Sequence, residues 1–203
     1  MWAVKDGWTG PVPGQRAAAS TTLLPARGFT MIELLFVVAI VGILAAIALP
    51  VTVGSVRTQR VLGSARSIAQ QLALVRLRAV SQFTQARLTI DTAGRTFLVG
   101  VCTTKGANSC TTFTAEGGPQ PLASGVTYGF GSIAAPAGSQ ATIAQTTSII
   151  VNSRGIPVDN TGTPTGSSAI YLTNGAGDFC AVTIRTSSAI TIWRYSGTAW
   201  VAQ

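Results

Sequence analysis

Residues 29–49 have the sequence FTMIELLFVVAIVGILAAIAL, and the architecture of the chain follows from them. The stretch holds 21 residues with one charged side chain, Glu33. At 1.5 Å per residue, a helix of this length spans about 31 Å, close to the thickness of a bilayer core. Its 13 Leu, Ile, Phe and Val residues contribute about −6 kcal/mol to insertion, whereas one acid near the helix centre costs about +3 kcal/mol. The stretch is predicted to cross a membrane.

The composition of the 203-residue chain excludes several classes of catalytic and metal-binding protein. Lys and Arg number 14 against 6 Asp and Glu, a net charge of +8, yet only 10% of residues are charged and the mean hydropathy is +0.42. This balance argues against a disordered basic tail. Histidine is absent and Cys numbers three, which excludes His-based triads and a four-thiolate zinc site. Phosphate-binding, dinucleotide and nucleophile-elbow motifs are also missing. We expect no catalytic residues, no metal and no cofactor, and therefore no enzyme.

Two other interpretations of the apolar stretch were weighed. A cleaved signal peptide is one, because Ala46-Ile47-Ala48 has the small-x-small pattern of a cleavage site and cleavage there would release a soluble β-domain beginning at Leu49. The run is longer than the usual apolar region of a signal peptide, and a carboxylate interrupts it near its start. An ordinary single-pass anchor is the other, but it leaves Glu33 unexplained. An ionisable residue in a membrane segment indicates a function and needs a partner.

The residues around the start of the stretch carry a motif. Residues 27–35 have the sequence RGFTMIELL, which resembles the cleavage and methylation motif of type IV prepilins and of the pseudopilins of type II secretion. The resemblance implies that prepilin peptidase cuts after Gly28 and that Phe29 becomes the N-methylated first residue. It also implies that Glu33 of one subunit neutralises the terminal amine of a neighbour during filament assembly, which lowers the cost of a carboxylate in lipid.

The resemblance divides the chain into four segments. They are a leader at 1–28, a transmembrane helix half at 29–49, an amphipathic helix half at 50–85 and a β-rich periplasmic head at 86–203. Family leaders are shorter and more basic than residues 1–28, which favours a start further along the chain. Arg residues flank the span on both sides and do not decide its orientation. The family places the leader in the cytoplasm and the protein in the bacterial inner membrane.

The pattern after Pro50 predicts a helix and then a sheet. Apolar residues recur at helical spacing up to about residue 83, at Ala65, Ile68, Leu72, Val75, Ala79 and Phe83. From residue 86 the period shortens. Strands are expected at 87–91, 95–101, 111–114, 126–130, 148–152, 169–173, 181–186, 189–195 and 199–201, with long loops at 131–147 and 153–168. The predicted class is α+β, with a pilin-like fold in which a long N-terminal helix packs on an antiparallel sheet. Residues 148–155 and the final hairpin resemble the GspH/FimT group of minor pseudopilins and minor pilins.

The cysteines and Arg residues give further candidate sites. Cys102 and Cys110 fit a disulfide in an oxidising periplasm, with a Cys102–Cys180 pair and a fully reduced set as alternatives. Arg57 and Arg60 suit anionic lipid headgroups, although the pattern favours a solvated or subunit-contacting face of the helix. The other candidate sites lie in the second half of the head.

That second half has one candidate site for DNA and one for calcium. Some FimT-like minor pilins bind DNA through Arg near the C-terminal strands, where this chain has Arg185 and Arg194 close to Trp193, Tyr195 and Trp200. Two Arg residues make a weak electrostatic patch for nucleic acid, and the aromatic residues are expected to complete the core of the sheet. Residues 174–178, NGAGD, are expected to form a turn and not a calcium site, because one carboxylate is too few.

The two resemblances, of the N-terminal motif and of residues 148–155 with the final hairpin, together imply a minor pseudopilin of the H type. Such a protein is processed by prepilin peptidase, waits in inner-membrane lipid, and joins other minor and major pseudopilins at the tip of a periplasmic pseudopilus. The alternative is a FimT-like minor pilin of a type IV pilus that handles DNA. The residues themselves fit a secretion system and a pilus system equally.

Overall fold

The structure, a computed structural model, describes residues 28–106 and 109–203. Residues 1–27 of the predicted leader lie outside the described residues, as do two residues of the loop that joins the cysteines. A boundary between Ala45 and Ala46 divides the structure into two compact units. The first holds the beginning of a helix, and the second holds the rest of that helix and every described strand.

The helix, α1, covers Met31–Ser81, or 51 residues. Its side chains up to residue 48 are exposed, which suits a segment that is covered by lipid. Further along, one face is fully buried at every third or fourth residue, the period expected of an amphipathic helix on a core. The buried positions are Val61, Ala65, Ile68, Leu72, Val75 and Ala79.

The end of α1 differs from the prediction, which continued the apolar face to Phe83. The amide of Phe83 donates to the carbonyl of Val80, and the amide of Thr84 donates to that of Ala79. This pair of bonds is a Schellman motif, which places Phe83 at the left-handed position after the helix. Its φ is 50° and its side chain is 79% exposed. The helix therefore ends at Ser81, and the prediction that Phe83 belongs to the buried face was wrong.

The described residues after α1 form eleven strands in two antiparallel sheets. The first sheet has the order β3-β2-β1-β6-β7, with β4 also paired to β2, and the second has the order β11-β10-β9-β8-β5. The strands are β1 Ala86–Asp91, β2 Thr96–Lys105, β3 Cys110–Ala115, β4 Gln120–Pro121, β5 Thr127–Tyr128, β6 Ser148–Val151, β7 Pro157–Val158, β8 Ser168–Thr173, β9 Phe179–Ile184, β10 Ile190–Tyr195 and β11 Trp200–Ala202.

The class is α+β, as predicted, but the expected single sheet is two sheets. The chain passes between them three times, after β4, after β5 and after β7. Both sheets contribute to one core cluster with α1, through residues such as Leu88 of β1 and Val182 of β9. The strand pattern alone does not reveal this division, because a local apolar pattern marks a strand and does not say which other strands it pairs with.

The segment 131–147, predicted as a long loop, covers the outer face of the second sheet. Its Ala137 is buried in a smaller cluster with Ala169, Tyr171 and Ala181. The amide of Ala137 donates to the Tyr171 hydroxyl at 2.9 Å, and Trp200 Nε1 donates to the carbonyl of Ala135 at 2.7 Å. The second sheet is therefore packed on both faces, which explains why β8 and β9 are buried almost throughout.

Candidate processing and assembly site

Gly28, Phe29 and Thr30 precede the helix and are all exposed. The Phe29 side chain is 78% exposed, and a Cβ added at Gly28 would meet no atom of the described residues within 4 Å. The peptide bond between Gly28 and Phe29 thus lies outside the hydrogen-bonded helix, and nothing in the described part of the chain covers it. A protease needs this kind of accessible, non-helical backbone around the bond that it cuts.

The first turn of α1 is capped by Thr30. The Thr30 hydroxyl accepts a hydrogen bond from the backbone N–H of Glu33 at 3.2 Å, and its carbonyl accepts one from the N–H of Leu34, also at 3.2 Å. This is the N-cap geometry, and a Thr three residues before a Glu is the sequence pattern of a capping box. The sequence reasoning missed Thr30, although its spacing from Glu33 was the pattern that would have found it.

Glu33 lies in the first turn of α1, where the exposed N–H groups of the helix end favour a carboxylate. Its side chain is exposed. The single ion pair in the described part of the chain joins Arg78 and Glu116 at 2.9 Å, so Glu33 has no cationic partner there. In lipid, helix capping alone would leave this carboxylate poorly compensated. A cationic partner for Glu33 would have to come from outside the described residues.

Cys102 and Cys110 are joined as a disulfide that ties β2 to β3. The amide of Cys110 is held by the Gln85 side-chain oxygen at 2.8 Å. Cys180, on β9, is free, and its side chain is buried in the core. Burial raises the pKa of the Cys180 thiol to about 11, even though the nearby charge of Arg194 acts in the opposite direction. The alternative Cys102–Cys180 pair is not the arrangement found in the structure.

Arg185 and Arg194 do not form one basic patch. Arg194 of β10 stands opposite Cys180 at the start of β9, whereas Arg185 follows Ile184 at the far end of β9. Five residues along a strand separate them by about 17 Å. Each is exposed, but each contributes a separate point charge. The structure therefore does not bring together the two residues that were considered for DNA contact.

The three aromatic residues near these Arg residues are structural. Trp193 Nε1 donates to the Thr183 hydroxyl at 2.9 Å. Tyr195 packs against Trp200 with ring centroids 5.2 Å apart, and Trp200 packs against Tyr171 at 5.6 Å. Trp193 and Trp200 both lie against the smaller core cluster. They complete the packing of the second sheet and are not arranged as a stacking platform for bases.

Residues 174–178 form a turn. The Asn174 side-chain oxygen accepts hydrogen bonds from the backbone N–H groups of Ala176 and Asp178, and its amide donates to Asp178 Oδ2 at 2.7 Å. The described residues contain no group of three or more His, Cys, Asp or Glu placed to hold a metal ion. Asp178 is instead used in bonds that hold the turn and, through Thr58, the helix.

Comparison with known proteins supports the interpretation of the N-terminal segment. Residues 25–49 match the family model of the prokaryotic N-terminal methylation motif. This N-terminal segment carries a prokaryotic methylation motif. The match covers Gly28, Phe29 and Glu33 and the apolar part of α1 that follows, and α1 contains a stretch long and apolar enough to cross a membrane.

The chain also has distant structural similarity to a solved pseudopilin. Two solved structures of the minor pseudopilin EpsH from the type II secretion system of Vibrio cholerae are similar to this chain. One has a TM-score of 0.44 at 15% identity and covers 70% of this chain and 97% of EpsH. The other has a TM-score of 0.42 at 15% identity, covering 66% and 94%. No curated protein sequence matches the chain significantly.

Proposed function

We propose that this chain is a minor pseudopilin of the H type, a structural subunit that prepilin peptidase processes between Gly28 and Phe29. The processed subunit is N-methylated at Phe29, is held in the inner membrane with its head in the periplasm, and joins other pseudopilins at the tip of a pseudopilus. The observation that carries the proposal is the methylation motif over residues 25–49. The open, non-helical backbone at Gly28 and Phe29 supports it.

The proposal is tested by the amino terminus of the mature protein. The full chain is co-expressed with a prepilin peptidase, and the product is analysed by mass spectrometry. We expect a chain that begins with N-methyl-Phe29. Gly28→Leu should block cleavage, because its side chain would occupy the space that the enzyme needs at the scissile bond. Gly42→Ala is the control. A Cβ added at Gly42 also meets no described atom within 4 Å, but Gly42 lies inside the helix and away from the scissile bond, so this variant should be cleaved normally.

Two results of that experiment would contradict the proposal. A product that begins at Leu49 would show that the apolar stretch is a cleaved signal peptide. A product that keeps its leader in the presence of active peptidase would show that the motif is not a processing site.

The role of Glu33 in assembly is part of the same proposal. After cleavage, the α-amine of Phe29 lies four residues before Glu33, and the amine of a neighbouring subunit would supply the missing positive charge. Glu33→Gln keeps the side-chain hydrogen bonding that serves a capping box but removes the charge. We expect this variant to enter the membrane normally and to be lost from purified filaments. Normal co-purification with filaments would show that Glu33 only caps the helix.

Thr30→Val is the complementary control. It removes the hydroxyl that accepts the Glu33 amide and leaves the carboxylate in place. Loss of one N-cap costs about 1 kcal/mol of helix stability, which is small beside the membrane insertion energy of the stretch. We therefore expect Thr30→Val to remain in the filaments.

A further inference from the structure

A cleft with two Arg residues lies beside the middle of α1. Arg57 and Arg60 line it on the helix side, and Ser124, Gly125, Val126 and Asn174 line it on the side of the head. Its volume is about 430 Å³, enough for a small charged group. All of these residues belong to the unit that begins at Ala46.

The cleft carries net positive charge, because two Arg side chains line it and no carboxylate of the described residues does. Both Arg side chains are exposed, and neither forms an ion pair within the described residues. The nearby carboxylate of Asp178 is held by hydrogen bonds at Oδ2 from the Thr58 hydroxyl at 2.9 Å and from the Asn174 amide at 2.7 Å, and it keeps its negative charge. Two guanidinium groups with the Ser124 hydroxyl nearby make a site for an anion with several oxygens.

The position of the cleft along the helix indicates which kind of anion it would bind. Exposed apolar side chains continue past the 29–49 stretch to Val53 and Val56, which are 48% and 43% exposed. Arg57 follows immediately and is the first charged residue after Glu33. It lies eight residues, or about 12 Å, beyond Leu49, and helical side chains lean toward the N-terminus of the helix. The guanidinium groups are thus carried toward the level of the lipid phosphates.

We propose that the Arg57–Arg60 cleft binds the phosphodiester headgroup of an anionic phospholipid. The proposal rests on the proposed function, because it needs residues 29–49 to span the membrane. A planar guanidinium pairs with two phosphate oxygens at once, and an Arg near an anionic membrane surface strengthens binding about five-fold. Headgroup binding would hold the base of the head on the bilayer until the subunit is extracted into a filament.

The test uses the full chain in lipid nanodiscs of phosphatidylcholine, with or without phosphatidylglycerol. Phenylglyoxal modifies accessible Arg side chains, and mass spectrometry of peptides gives the rate at each residue. We expect phosphatidylglycerol to slow modification of Arg57 and Arg60 several-fold. Arg66 is the internal control, because it is exposed on the same helix and does not line the cleft. Its rate should change little.

Co-purifying lipid provides the second measurement. Arg57→Gln with Arg60→Gln should lower the apparent affinity of the detergent-purified chain for phosphatidylglycerol by about 25-fold, because each Arg contributes about five-fold. Less phosphatidylglycerol should therefore co-purify with this variant. The charge-matched control, Arg66→Gln with Arg154→Gln, should retain it, since both of these residues are exposed and outside the cleft.

The outcomes separate this proposal from the one on which it rests. Insertion into both nanodiscs with equal modification rates would overturn the headgroup site alone. Equal protection by inorganic phosphate in phosphatidylcholine nanodiscs would show a general anion site and would also overturn it. Failure of the chain to enter either nanodisc would contradict the membrane span and with it both proposals.

Discussion

Leu72 and Leu77 lie on the same helix and have opposite environments. Leu72 is fully buried among the strands of the head, whereas Leu77 is 62% exposed. Residues four and three apart share one helix face, and a separation of five places a side chain on another face. The contribution of each Leu to the stability of the head therefore depends on which face of the helix it lies on, since the two side chains are chemically identical.

Leu72→Ala should lower the free energy of unfolding of the head by about 2–5 kcal/mol, because it removes buried methyl groups and leaves a cavity. Leu77→Ala should change it by no more than about 0.5 kcal/mol. Denaturant unfolding of the full chain in detergent, followed by tryptophan fluorescence, measures both. Equal destabilisation by the two substitutions would contradict the packing of α1 described above.

The end of α1 shows strain at the scale of an element. Phe83 has the left-handed backbone conformation that is usually found at glycine. Its ring is exposed, so burial of the side chain does not offset the cost of this conformation. The carbonyl of Phe83 accepts a bond from Lys105 Nζ, which does not depend on the ring. The Schellman bonds of Ala79 and Val80 thus outweigh a conformation that is unfavourable for a bulky residue.

Phe83→Gly should raise the free energy of unfolding by about 1 kcal/mol, because glycine adopts the left-handed conformation without steric cost. Phe83→Ala keeps that cost and loses only an exposed ring, so it should be close to neutral. Unfolding of both variants under the same conditions is the measurement. Destabilisation by Phe83→Gly would mean that the ring makes a contact on which the fold depends.

The positions of the three cysteines on their strands lead to a second prediction, which concerns their alkylation. At pH 8, a thiol of pKa about 11 is ionised in about one molecule in a thousand, and Cys180 is also buried. Iodoacetamide should therefore leave the folded, unreduced chain unlabelled. After mild reduction, Cys102 and Cys110 should be alkylated and Cys180 spared until the chain unfolds, as mass spectrometry would show. Because burial raises this pKa, the thiolate becomes abundant only as the pH approaches 11. Early labelling of Cys180 would contradict the buried position.

The distribution of charge matters at the scale of the whole molecule. The net charge of +8 attracts nucleic acid weakly, whatever its sequence. Arg185 and Arg194 stand at opposite ends of one strand pair, so neither reinforces the other. Substitution of both Arg residues should therefore weaken the binding of nucleic acid only by lowering the net charge of the chain.

Arg185→Ala with Arg194→Ala should lower the weak DNA retention at low salt no more than Arg66→Ala with Arg154→Ala does. Retention of labelled double-stranded DNA by the full chain, measured over a series of salt concentrations, tests this. A selective loss in the first variant would show a DNA site that includes both residues and would favour the minor-pilin alternative.

The methylation motif, an apolar stretch long enough to cross a membrane and the buried face of α1 are properties of neighbouring residues, and the order of residues was enough to predict them. An apolar run and a three-four spacing of apolar residues are both local patterns, although the spacing failed at Phe83, where the helix had already ended. Most strands were found for the same reason, since an alternation of period two is local. Thr30 could have been found by the same means.

The folded chain alone set the division into two sheets, the cover formed by 131–147, the end of α1 at Ser81 and the separation of Arg185 from Arg194. Each depends on contacts between residues far apart in the chain. Tyr171, for example, meets Ala137 across 34 positions, and the Arg57–Arg60 cleft is closed by Ser124 and Asn174. Local patterns carry no information about such pairings, because the free energy that selects them is gained only when the distant segments pack together.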